Sequence, residues 1–217
     1  MMMRNQSGGV ASETRDRARG MRGFSLLEMM IVVAIIIIIA TIGFISLQPV
    51  LKETRISNAY NTTLMAMRRA REAAISQRRT YIVTFNNAAL PHSVNIAPAS
   101  ITPGGLTATY TISPDVQFTV VGTSFPNPGP DGFGNGRNAI DFDQAVVGAG
   151  AADKLSIYFM PDGSAQDVNN NINNGVIYLT RPNELYTARA ITLWGVTGRL
   201  RGWKLYNVAG VATWKQQ

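Results

Sequence analysis

The sequence predicts an α+β chain. One long N-terminal helix, membrane-spanning in its first half, packs by its second half on a C-terminal head of antiparallel β-sheet. Three observations predict it. Phe24–Leu47 is a run of 24 residues with a single charge, Glu28. Residues 50–78 contain neither Gly nor Pro and repeat apolar positions every three to four residues. After Arg79 the text turns to short β-branched and aromatic stretches separated by turn residues.

The apolar run comes first. As a helix it is about 36 Å long, enough for a hydrocarbon core of about 30 Å. Its five consecutive isoleucines, Ile35–Ile39, leave no polar face, which excludes an amphipathic surface helix. A cleavable secretory signal has a shorter apolar core, about 7–15 residues, and ends in small residues, unlike Ile45-Ser46-Leu47. Arg4, Arg15, Arg17, Arg19 and Arg22 precede the span, and only Lys52 and Arg55 follow closely. That asymmetry predicts a cytoplasmic N-terminus and an extracytoplasmic remainder. Glu28 is the anomaly: a carboxylate at mid-membrane costs about 2.5–3.5 kcal/mol on insertion scales, and less near an interface. It calls for a positive partner, such as an amino group on another chain or at a newly cut terminus.

Pro49, near Gly43 and Ser46, predicts a kink or end of the helix. The helix resumes as an amphipathic stretch over 48–79. Its apolar stripe is predicted to run through Tyr60, Leu64, Met67, Arg71 and Ile75, with Ala59, Ala66, Ala70, Ala73 and Ala74 beside it. Arg68, Arg69, Arg71, Arg78 and Arg79 read as a solvated face. The head then occupies 80–217. Strands are predicted at Thr80–Phe85, Thr107–Ile112, Val116–Val121, Lys154–Met160, Gly175–Thr180, Ala188–Trp194 and Arg199–Asn207. The Pro- and Gly-rich Phe125–Asn138 stretch reads as a loop.

Composition bounds the chemistry. The 217 residues include no Cys and one His, which excludes disulfides, thiolate metal sites, a thiol nucleophile and multi-histidine centres. The net charge of +7 is segmented: residues 1–23 carry +3, Glu28 of the apolar run −1, 52–79 carry +5, 80–188 carry −5 and 189–217 carry +5. No G-x-S-x-G nucleophile motif occurs. Gly132-Phe133-Gly134-Asn135-Gly136 lacks the order of a dinucleotide-binding loop. His92 reads as a surface residue of a loop. Asp162, Asp167 and Asn169–Asn171 offer oxygens suited to calcium, but turn chemistry accounts for them better. No catalytic residue, cofactor or metal is predicted, and an exported enzyme on a membrane anchor is the disfavoured alternative.

Arg22-Gly23-Phe24-Ser25-Leu26-Leu27-Glu28, with the apolar run directly behind it, resembles the processing signal of type IV pilins and type II secretion pseudopilins. The resemblance implies a leader, 1–23, removed by a prepilin peptidase between Gly23 and Phe24. It implies N-methylation of Phe24, leaving a mature chain of 194 residues. The helix 24–47 then becomes a filament core among other pilins, and Glu28 pairs with the terminal amine of Phe24 in a neighbouring subunit. A leader of 23 residues is long for the family, and Met21 is an alternative start. The series Phe159–Ser164, Val176–Leu179, Arg189–Leu193 and Gly198–Arg201 is similar to the GspH/FimT branch of pseudopilins and minor pilins, which implies a β-sandwich-like head in the periplasm, anchored to the inner membrane.

Within the head, Arg199, Arg201 and Trp203 share one face if the segment is a strand, with Lys204 beside them. Guanidiniums suit phosphates and an indole suits a base. Arg199 and Arg201 also match a Gly-Arg-x-Arg element of minor pilins used in DNA uptake. The resemblance thus leaves two readings of this strand: DNA as a partner, or a surface that covers a sheet or docks another pilin.

Overall fold

A computed structural model describes residues 24–100, 104–121, 125–142 and 155–217. The chain divides between Ser46 and Leu47 into two units. A helix, α1 (Leu26–Gln77), begins in the first unit and ends in the second.

In the first unit every side chain from Phe24 to Ser46 is exposed. This stretch holds the helix's window that is long and apolar enough to cross a membrane. The helix continues through Pro49, where the sequence predicts a kink or stop. Proline removes one hydrogen bond from a helix without requiring the helix to end.

In the second unit, among the described residues, ten strands form two five-stranded antiparallel sheets. They are β1 (Tyr81–Asn86), β2 (Ser93–Pro98), β3 (Ala108–Thr111), β4 (Ile140–Phe142) and β5 (Ser156–Phe159). Then follow β6 (Ala165–Gln166), β7 (Gly175–Arg181), β8 (Glu184–Trp194), β9 (Arg199–Val208) and β10 (Val211–Gln216). One sheet runs β3-β2-β1-β5-β6 and the other β10-β9-β8-β7-β4. The α+β class and the helix on antiparallel sheet are as predicted.

The core explains the order. Ile56, Ala59, Tyr60, Leu64, Met67 and Ala70 of α1 are buried in one cluster with Tyr81, Val83 and Phe85 of β1, and with Ile177, Leu179, Ile191 and Leu193 of the second sheet. The stripe therefore turns through Ala73 and Ala74 and leaves Ile75 exposed, a correction to the predicted path. Small residues let helix and strands approach closely: a Cβ on Gly202 of β9 would fall 1.6 Å from the Tyr60 hydroxyl. The second sheet is buried on its other face as well. There Val176, Tyr178, Ala188, Ala190 and Leu205 pack with Phe125 and Trp214. This is why Val176–Leu179 reads as an unbroken apolar run rather than an alternating one.

One predicted strand does not form, and four strands were missed. Val116–Val121 is not a strand; Gln117 alone bridges to Thr180. The Phe118 amide, which a ladder would use, instead donates to Nδ1 of His92 at 2.9 Å. His92 is therefore not a surface residue: it is 6% exposed and stacked on the Phe118 ring. Strands β2, β4, β6 and β10 were not predicted. Lys154, placed at the start of a predicted strand, lies outside the described residues.

Candidate functional site

Two places carry the residues singled out from the sequence: the N-terminal signal and β9. At the signal, Gly23 lies outside the described residues. Phe24 is 75% exposed, and the first helical hydrogen bond runs from the Met29 amide to the Ser25 carbonyl at 3.1 Å. Phe24 thus stands just ahead of the first turn, beside backbone amides that have no intrahelical partner. Glu28 is the acidic residue of that turn. Partial positive charge at a helix start favours a carboxylate there. The same position would accept an amino group, and no other charge lies between Phe24 and Leu51.

Strand β9 does not gather its four candidates into one open face. Alternation puts Arg201 and Trp203 on the side away from α1 and Lys204 on the side of α1. Arg201 pairs with Asp131 at 2.8 Å, and its guanidinium lies 5.5 Å from the centre of the Trp194 ring. Trp203 donates Nε1–H to Thr192 Oγ1 at 3.0 Å, and that hydroxyl donates to Asp131 at 2.6 Å. Trp194 Nε1 donates to the same carboxylate at 3.2 Å. Asp131, 7% exposed in its side chain and at φ 57°, is therefore a fastening point that ties the 125–138 loop to β8 and β9. Nothing in the sequence around a Pro-Asp-Gly turn marks it as such.

Lys204 is neutralised on the other side, its Nζ 2.9 Å from Glu53 of α1. Arg189 of β8, 2% exposed, joins the same carboxylate. Burial pushes the Glu53 carboxyl up, but the hydrogen bond from Lys204 and the charge and hydrogen bond of Arg189 outweigh it and hold it below its ordinary value. Of the four candidates, Arg199 alone is exposed. The oxygens of the calcium alternative are turn caps: Asp162 accepts from the Ser164 amide at 2.8 Å and Asp167 from the Asn169 amide at 2.8 Å. Among the described residues no three His, Cys, Asp or Glu side chains come together as a metal site.

Residues 18–44 match the family model of the prokaryotic N-terminal methylation motif. No curated protein and no solved structure matches the chain. The matched segment covers the predicted cleavage point, Glu28 and most of the apolar run, and it ends before the head. The motif, with one membrane-capable helix and a helix continuation packed on antiparallel sheet, fits a type IV pilin-like protein.

Proposed function

We propose that the chain is a minor pilin or pseudopilin of the GspH/FimT-like branch, a structural subunit of a type II secretion pseudopilus or a type IV pilus. A prepilin peptidase cuts between Gly23 and Phe24 and methylates the new amine. Before assembly the subunit spans the inner membrane once, with its N-terminus in the cytoplasm and its head in the periplasm. Assembly with other pilins moves the apolar helix from lipid to a bundle of like helices, and Glu28 sets register through the amine of a neighbour's Phe24.

The observation that carries this reading is the position of the methylation motif on the helix. The motif ends in the same exposed apolar stretch that supplies no side chain to the core. Those side chains need an apolar surrounding from outside the chain, first lipid and then other subunits. A carboxylate one turn in from the cut end is placed to meet an amine in that surrounding, where an unpaired charge is costly.

The test is a pair of substitutions in the full chain. Gly23→Ala is expected to leave only the longer form on a blot against the head. Normal maturation of this variant would remove the proposal. Glu28→Ala is expected to be cut yet missing from sheared filaments. Wild-type amounts there would remove the proposed pairing.

A further inference from the structure

The outer face of α1 within the second unit carries charge that the fold leaves unbalanced. Lys52, Arg55, Arg181, Arg189, Arg201 and Lys204 each meet a carboxylate. Among the described residues, Arg68, Arg71 and Arg199 meet none. These three line one hollow of about 460 Å³ on the same side of the head, with Glu72 as the single carboxylate among its described lining residues.

The hollow is shaped by backbone. Arg71 donates from Nε to the Gly163 carbonyl at 3.1 Å and from Nη2 to the Thr197 carbonyl at 2.9 Å. One carbonyl belongs to the β5–β6 turn and the other to the β8–β9 turn, so the guanidinium clips α1 to both sheets. Gly198, at φ +61°, makes the approach possible: a Cβ there would lie 2.0 Å from the Gly163 oxygen and 2.7 Å from Arg71 Nε. Carbonyl dipoles orient the guanidinium but leave its net charge in place. Arg68 and Arg199, both exposed, flank it. An adjoining hollow of about 450 Å³ shares Arg68 and Glu72 and adds Met65, Arg69 and Tyr110. Met65 is 66% exposed, and Arg69 is held by the Tyr110 hydroxyl at 2.7 Å.

We infer that this face docks an acidic segment of another subunit. Carboxylates of that segment meet Arg68, Arg71 and Arg199, and an apolar side chain beside them covers Met65. The inference rests on the filament-subunit reading above and names the surface it would use. Charge complementarity selects carboxylates, because three guanidiniums face one. The mixed character selects a protein segment over a phosphodiester strand. Glu72 sits in both hollows and repels a continuous polyanion.

The test uses the full chain in the cells that make it. A photoreactive residue replaces Met65, and adducts are mapped by mass spectrometry in the wild-type background and in Arg68→Glu/Arg199→Glu. Arg71 is left in place because it holds two turns. The expected adduct maps to a segment rich in Asp or Glu on another pilin-like protein and falls at least about tenfold in the double variant. Reversing the mapped carboxylates to Arg restores it. An adduct that survives the double variant, a mapped segment without carboxylates, a nucleic-acid adduct, or no adduct would each overturn the inference. The intact mass of the same chain separates the two levels. A chain still carrying residues 1–23 defeats the subunit reading as well, whereas a correctly cut chain without a charge-dependent adduct defeats the docking alone.

Discussion

The two halves of α1 are one helix with two surroundings. Between Phe24 and Ser46 every side chain is exposed, whereas from Ile56 to Ala74 ten residues are buried in the head. The halves differ in how they read, too. The first is apolar all round, and the second carries a stripe one side wide with arginines opposite. The difference teaches that the helix does two separate jobs. Its second half is part of the head's core and contributes to the head's stability. Its first half contributes nothing to that core, so its sequence answers to surroundings outside the head.

Substitutions on the two halves sharpen this contrast. The three tryptophans, Trp194, Trp203 and Trp214, all lie in β8–β10, so their fluorescence reports the head alone in the full chain in detergent. Met67→Ala, at a fully buried site, is expected to destabilise the head by about 2–5 kcal/mol in denaturant unfolding. Ile36→Ala removes a similar volume of apolar side chain from the exposed half and is expected to change head stability by less than about 0.5 kcal/mol. Equal effects at both positions would break the division.

Next in size is Asp131→Ala. It removes the acceptor of Arg201, Thr192 and Trp194 and leaves a half-buried guanidinium beside an aromatic ring. A loss of about 2 kcal/mol is expected, read by the same unfolding curve. A neutral result would mean that the loop is held by its apolar contacts alone.

The smallest expected effect is pH dependence at His92. Burial holds its pKa below the ordinary value, and its Nδ1 must stay unprotonated to accept from Phe118. The unfolded chain therefore takes up a proton near pH about 6.5, before the folded chain does. Stability is complete above that pH and declines as pH falls through it toward the folded pKa. His92→Asn keeps an acceptor near the same place without titrating and is expected to flatten the slope between about pH 7 and 5. An unchanged slope would assign the effect to other groups.

Much of this was legible in the residues. The apolar run needs no tertiary information, and the strong strands β7, β8 and β9 announce themselves by β-branched and aromatic content. The elements missed are those whose reason lies elsewhere in the chain. Strand β2 contains Asn95 and ends at Pro98, and it is a strand because β1 and β3 pair with it on both sides. Val116–Val121 has strand composition, but its amide at Phe118 goes to an imidazole. At β9 the residue types are plain in the sequence and their neutralisation is not. The partner of Arg201 is 70 residues away and that of Lys204 is 151 residues away. Arg71 read as part of a solvated face for the same reason, since the carbonyls that hold it come from two distant turns.

The measurement that tests the central claim most directly is the N-terminal sequence and intact mass of the chain recovered from membranes. The account predicts a chain of 194 residues that begins at an N-methylated Phe24. A chain that retains Gly23, or one cut within or after the apolar run, would contradict it.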